Sequence, residues 1–247
     1  MDIAAHLDLL RADGELLART TERTGLDAPV PSCPDWRIRD LLAHLGGVHR
    51  WAAFVVRSGS ITRPSREDTA ALFQAPGDDE LLEWYRTTHA DLLKTLTTAA
   101  PDTRAWTFFE APSTIAFWAR RQAHETAVHR VDVELAAGLS SAVPADFAAD
   151  GIDELLTGFL SRPGRNLVAD PPLSIAIVPN DNAAAWTMRI ATDGRQVESG
   201  AGPADLTVSG PAENLYLLLW NRADTTGCLL EGDPDVLFRW RELATVD

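Results

Sequence analysis

The first half of the chain contains four long segments whose apolar residues recur at helical spacing. Loops that contain proline separate the segments, so each should form a helix of its own. Asp35 is the expected N-cap of the second helix. Long helices with one apolar stripe each bury those stripes against one another, which predicts a four-helix bundle. The predicted helices cover residues 2–24, 36–58, 78–99 and 113–137.

The second half has a different pattern. Residues 147–160 form a predicted connecting helix, ended by Pro163 and Gly164, and short strand-like runs follow it. These runs cover residues 173–178, 186–190, 196–199 and 205–208, and predicted helices over 211–220 and 233–245 close the chain. The predicted fold is therefore a mixture of α and α/β structure. It is a four-helix bundle over residues 1–145, followed by a small α+β domain with an antiparallel sheet over residues 146–247.

Composition narrows the classes of function. A formal net charge of −14 argues against a nucleic-acid-binding surface, which would be basic. The first residues lack the pattern of a signal peptide, and no apolar run approaches the roughly 18 residues that span a bilayer. Cys33 and Cys228 form neither a disulfide framework nor a CxxC site. We therefore expect a cytoplasmic protein that binds neither nucleic acid nor membrane, and the sequence leaves its oligomeric state open.

The fourth predicted helix carries the sequence HETAVHRVD, residues 124–132. Glu125 and His129 are four apart, so their side chains share one face of the helix. His124 and His129 are five apart, roughly 140° around the axis, and cannot both face one ion. Bundle cores hold metals between Glu and His on facing helices. The alternative is a pair of Glu125 with Arg121 or Arg130 on a solvated face.

The second predicted helix offers two further histidines, His44 and His49. They are also five apart, so at most one of them faces an ion shared with Glu125. Both flank the apolar stripe of their helix, and periodicity does not choose between them. A histidine beside an apolar face is more often a packed residue than a ligand.

Three stretches of the sequence match the pattern of one known family. The first is Cys33-Pro-Asp-Trp36 with RDLLAHLGGVHRW, residues 39–51. The second is RQAHETAVHRVD, residues 121–132. The third is DLTVSGPAENLY, residues 205–216, with LWNR, residues 219–222. Together they resemble the mycothiol-dependent maleylpyruvate isomerase family, which belongs to the larger DinB-like group of metal-binding four-helix bundles, and the resemblance covers nearly the whole chain in order.

The resemblance implies a metal triad of His44, Glu125 and His129. Two histidines and one carboxylate leave a position open, as a catalytic zinc requires, although Ni²⁺, Fe²⁺ and Mn²⁺ accept the same donors. Asp132, one turn beyond His129, is a candidate partner that would orient the imidazole. The alternative is a structural pair of Asp132 with an arginine.

Arg222 matches an arginine that in the family reaches from the C-terminal domain toward the site. A guanidinium there would hold a carboxylate in a fork. The alternative is an exposed arginine at a helix end. The segment reads WNRAD in this chain, whereas many relatives have a glycine beside the arginine, which leaves the substrate specificity open.

The resemblance implies an enzyme in which a divalent metal, most simply Zn²⁺, activates mycothiol for addition to a small electrophile. In the reaction of the family's name, addition to a cis double bond permits rotation, and elimination yields the trans isomer. The same machinery would serve a thiol S-transferase. Alternatives are a metal-dependent hydrolase, with Asp132 or His49 as its base, and a non-catalytic DinB-like binding protein.

Overall fold

The computed structural model of the chain describes residues 1–162, 165 and 167–244. Its contacts divide the chain into two compact units, Met1–Ser141 and Ala142–Asp247. None of the helices in the described residues has the length and hydropathy that a bilayer crossing requires.

The first unit is built on four long helices. These are α1 (Ile3–Thr24), α2 (Ile38–Ser58), α4 (Asp78–Thr98) and α5 (Thr114–Ala136). Helices α1 and α2 each pack on both α4 and α5, so the four surround one core and the predicted bundle is confirmed. The stretch between α2 and α4, which reads as a polar linker, contains the short helix α3 (Arg66–Ala70) and a 3₁₀ turn, Ala71–Phe73.

The predicted N-cap of α2 is wrong. Asp35 lies in a tight turn, in which the N–H of Trp36 donates to the Cys33 carbonyl at 2.8 Å. The helix begins at Ile38, two residues after the predicted start. The side chain of Asp40 accepts a 2.8 Å hydrogen bond from the Arg37 N–H. A carboxylate in the first turn thus satisfies a backbone donor that the helix itself leaves unpaired.

Helix α5 is buried around most of its circumference, with seventeen of its twenty-three residues inside. It is therefore a central helix, not the one-sided helix that its stripe predicts. Its buried Arg130 donates from Nε to Asp13 at 3.2 Å and from Nη1 to Glu134 at 2.6 Å. Arg130 thus pairs with these two carboxylates in the interior, and the solvated face considered for it from the sequence is wrong.

The second unit opens with α6 (Ala145–Asp153), which continues as a π-helical turn, Glu154–Phe159. Pro163 and Gly164, the predicted end of this helix, lie outside the described residues. The strands are β1 (Leu173–Pro179), β2 (Trp186–Ala191), β3 (Gly194–Ser199), β4 (Leu206–Gly210) and β5 (Leu229–Gly232). Helices α7 (Ala212–Leu219) and α8 (Asp235–Leu243) complete the unit, and Thr245, in the predicted last helix, is not among the described residues.

The five strands form one sheet in the order β3-β2-β1-β4-β5. Three neighbouring pairs are antiparallel, as predicted, but β1 and β4 run parallel, with Ile175 opposite Leu206. The hairpin of β2 and β3 occupies one side of β1, so the returning chain pairs with its other side. Strand β5 was not predicted from the sequence. It is four residues long and largely exposed, so it lacks the apolar alternation that marks a strand.

Gly14, which the helical pattern merely tolerates, allows α1 and α4 to approach. A Cβ at this position would lie 2.2 Å from Nε2 of His89, and that nitrogen donates to the Leu10 carbonyl at 2.9 Å.

We expect Gly14→Ala to lower the free energy of unfolding in urea. Overpacking costs about 1–3 kcal/mol, against roughly 1 kcal/mol gained in helix propensity. In a His89→Ala background the methyl group has room, so an equal loss there would contradict this explanation.

Candidate metal centre

His44, Glu125 and His129 lie together between α2 and α5. Nε2 of His44 is 3.3 Å from Oε1 of Glu125, and Nε2 of His129 is 3.5 Å from the same oxygen. One ligand atom from each residue lies within 4.8 Å of the other two. The structure thus brings the three sequence-predicted ligands together, from two facing helices of one unit.

The donor set and its spacing fit a tetrahedral divalent ion. Bonds of 2.0–2.2 Å to a tetrahedral zinc separate its ligand atoms by about 3.3–3.6 Å. The two nitrogen–oxygen distances around Glu125, 3.3 and 3.5 Å, agree with that spacing. Two imidazoles and one carboxylate also leave a coordination position for another ligand.

Glu125 is held from both sides. While Oε1 faces the two histidines, Oε2 accepts a 3.1 Å hydrogen bond from Nη2 of the buried Arg121. Burial alone raises the pKa of Glu125, but hydrogen bonds with His129 and His44 and the charge of Arg121 hold it well below its usual range. The Arg121–Glu125 pair considered from the sequence therefore exists, but in the interior and not on a solvated face.

His129 is held by Asp132, whose Oδ2 lies 2.9 Å from Nδ1 of the imidazole. Asp132 is fully buried. Burial lowers the pKa of His129, but hydrogen bonds with Asp132 and Glu125 outweigh this effect and raise the pKa to about 9. The two carboxylates thus make the position between them favourable for positive charge.

Trp36 forms one wall of the centre. Its ring lies 5.0 Å from the ring of His44, and 6.2 Å from that of His129 at an interplanar angle of 23°. The side chain of His44 is 36% exposed and that of His129 only 9%, so the centre opens toward solvent on the side of His44. Trp36 was not among the predicted site residues, although it lies in the Cys33–Trp36 stretch that resembles the family.

Two histidines weighed from the sequence lie elsewhere. His49 is fully buried, and its Nε2 is 3.0 Å from Oγ1 of Thr126. Burial holds the pKa of His49 well below its ordinary value, which disfavours the charged form of the ring. His124 is also buried, with its ring 6.1 Å from that of His6. Of the two histidines on α2, His44 is the one beside Glu125.

Arg222 lies in the second unit, just after α7. Its N–H donates to the Leu217 carbonyl at 2.7 Å, and its Nη1 donates to the Trp220 carbonyl at 2.8 Å. Asn221, which stands between Trp220 and Arg222 in the chain, has a positive φ of 60°. Glycine and asparagine adopt this left-handed conformation most readily, so Asn221 fits a helix end at which a glycine would also fit.

Ser32 was missed by the sequence analysis. Its hydroxyl donates to Oδ1 of Asp132, one hundred positions further along the chain. A serine in a proline-containing loop is an ordinary turn residue, so no local pattern distinguishes it. Only the folded arrangement shows that it contacts the residue behind His129.

Known proteins resemble the chain in sequence and in fold. Residues 7–134 match the family model of the mycothiol maleylpyruvate isomerase N-terminal domain, and residues 146–239 match that of the MDMPI C-terminal domain. A crystal structure of the mycothiol-dependent maleylpyruvate isomerase is similar, with a TM-score of 0.65, 12% identity, and coverage of 94% of this chain and 93% of the other. A histidine-to-alanine mutant of that isomerase gives the same TM-score, 0.65, identity, 12%, and coverage, 94% and 93%. No curated protein matches the chain significantly.

Proposed function

The chain belongs to the mycothiol maleylpyruvate isomerase family, and from this membership we propose that it is a metal-dependent enzyme that adds a small thiol to an electrophile. The thiol is mycothiol, and the enzyme acts as an isomerase or as a thiol S-transferase. The observation that carries the proposal is the cluster of His44, Glu125 and His129, whose donor atoms lie within 4.8 Å of one another inside the matched N-terminal domain.

Nε2 of His44, Nε2 of His129 and Oε1 of Glu125 would hold the ion. Zinc is the first choice for this donor set, and Ni²⁺, Fe²⁺ or Mn²⁺ would accept the same ligands. When bound, the ion favours the thiolate form of a coordinated thiol, which is the nucleophilic form. Arg121 and Asp132 orient the ligands, since each bonds the side of a ligand that faces away from the donor atom.

The surroundings of the protein's own two cysteines favour an external thiol as the nucleophile. Burial and the charge of Asp224 raise the pKa of Cys228, which disfavours its thiolate. Cys33 is partly buried against the hydrophobic core of the bundle. Neither cysteine is one of the residues in the proposed centre, so the nucleophile comes from a small molecule.

The hydrolase alternative needs a general base, and both candidates are buried and hydrogen-bonded to other side chains. His49 is fully buried against Thr126, and Asp132 is fully buried against His129. Neither side chain is exposed to a water molecule from solvent. The burial of both residues favours thiol addition over hydrolysis.

Arg222 is proposed to recognise an acidic group of the substrate. A guanidinium offers two parallel donors to a carboxylate, which fixes its orientation as well as binding it. The backbone bond of Arg222 to Leu217 and the side-chain bond to Trp220 hold the arginine at the end of α7. Because the side chain is already held in place, it loses less conformational entropy when it binds an anion.

The ligand assignment is tested by the zinc affinity of purified variants. We expect His44→Ala, Glu125→Ala and His129→Ala each to weaken zinc binding more than about 100-fold, since loss even of outer partners costs 10–100-fold. The matched control is His49→Gln on the same helix as His44, which should keep the native affinity. Native affinity in any of the three alanine variants would remove that residue from the centre.

The thiol assignment is tested by turnover of the zinc-loaded protein with maleylpyruvate or 1-chloro-2,4-dinitrobenzene. We expect product only when mycothiol is present, because the nucleophile is the added thiol. An isomerase regenerates the thiol after elimination, whereas a transferase consumes one thiol per product. Product formed at the same rate without any thiol would reject thiol addition, and hydrolysis would follow only if the product had gained the elements of water.

The role of Arg222 is tested by comparing acidic and neutral electrophiles. We expect Arg222→Ala to lower kcat/KM for maleylpyruvate at least about tenfold, since hydrogen bonds to charged groups contribute about 1.5–3 kcal/mol. Turnover of neutral 1-chloro-2,4-dinitrobenzene and zinc affinity should not change. Arg241→Ala, which removes another arginine bonded to a backbone carbonyl in this unit, is the control. Equal losses on both substrates would assign Arg222 to structure.

A further inference from the structure

Backbone hydrogen bonds join the two ends of the loop between α1 and α2. A β-bridge joins Pro29 to Arg37, and the N–H of Val30 donates to the Trp36 carbonyl at 2.9 Å. Inside the loop, the N–H of Cys33 donates to the Val30 carbonyl at 3.1 Å. Residues 29–37 thus form a loop whose backbone is fixed by its own hydrogen bonds.

Two side chains of this loop contact the candidate metal centre. Trp36 lies beside the rings of His44 and His129, and the hydroxyl of Ser32 donates to Asp132. The carboxylate of Asp132 is thereby held at both oxygens. Oδ1 accepts from Ser32, and Oδ2 pairs with Nδ1 of His129 at 2.9 Å.

We propose that Ser32 is a positioning residue of the metal centre, acting on His129 through Asp132. This inference rests on the proposed function, in which Nε2 of His129 is a ligand. Ser32 fixes the rotation of the Asp132 carboxylate, so that Oδ2 stays in line with Nδ1 of His129. The opposite nitrogen of the ring then points at Oε1 of Glu125, 3.5 Å away.

The physical need for Ser32 follows from burial. Asp132 is fully buried, and a buried carboxylate that loses a hydrogen bond is not compensated by water. It then turns toward other donors, and the imidazole that it orients turns with it. Partners that orient a ligating histidine typically change metal affinity 10–100-fold, although they do not touch the metal.

The proposal is tested on the full chain by titrating zinc, in competition with a chelator, into native protein, Ser32→Ala and Ser32→Thr. We expect Ser32→Ala to bind zinc about 10-fold more weakly, the lower end of the range for such partners. Ser32→Thr keeps the hydroxyl and should restore most of the affinity. The visible spectrum of the Co²⁺-loaded Ser32→Ala protein should differ from that of native protein, because the spectrum reports ligand geometry.

Ser58→Ala is the matched control, since the Ser58 hydroxyl donates to the Val55 carbonyl at 2.8 Å on α2 and contacts no residue of the centre in that bond. It should leave both zinc affinity and the Co²⁺ spectrum unchanged. Thermal unfolding of the metal-free variants separates a change in the centre from a loss of the fold. Native affinity and spectrum in Ser32→Ala, or failure of Ser32→Thr to restore them, would overturn the role of Ser32 alone. If native protein itself binds no zinc, the proposed metal centre fails as well.

Discussion

The bundle depends on pairing the charges that α5 carries into the interior. A buried charge without a partner is strongly destabilising, so each must meet an opposite charge or a donor on a neighbouring element. Asp13 on α1 pairs with Arg130, Arg121 pairs with Glu125 along α5, and Ser32 holds Asp132. The candidate metal centre is one part of this set of buried interactions, and it lies where two histidines and two carboxylates meet.

The two carboxylate oxygens of Glu125 have different partners. Oε2 bonds to Arg121, which fixes the rotation of the carboxylate, while Oε1 remains directed at both histidines. Burial raises the pKa of Glu125, but the hydrogen bonds of His129 and His44 and the charge of Arg121 together lower it. Asp132 fixes the orientation of the His129 ring through Nδ1, the nitrogen opposite the donor atom Nε2. Two of the three donor atoms, Oε1 of Glu125 and Nε2 of His129, are therefore positioned by residues that would not themselves touch an ion, so ligand spacing alone describes the centre incompletely.

Much of the fold was predictable because helical periodicity is a local property. The long helices follow from their apolar spacing, and i, i+4 spacing places Glu125 and His129 on one face. Spacing could not choose between His44 and His49, since both flank one stripe. The parallel pairing of β1 and β4 depends on where the chain returns after a hairpin, and strand patterns do not encode direction. The contact of Ser32 with Asp132 was not predictable from local patterns, because the two residues are one hundred positions apart.

The proposed ion ligands all belong to the first compact unit, whereas Arg222 belongs to the second. Arg222 is fixed by bonds to its own helix end, and the ligands by bonds within the bundle. Each of these hydrogen bonds joins residues of the same unit. Under the proposed function, selection would alter the preferred acid through the surroundings of Arg222 while the ion ligands of the first unit are inherited unchanged.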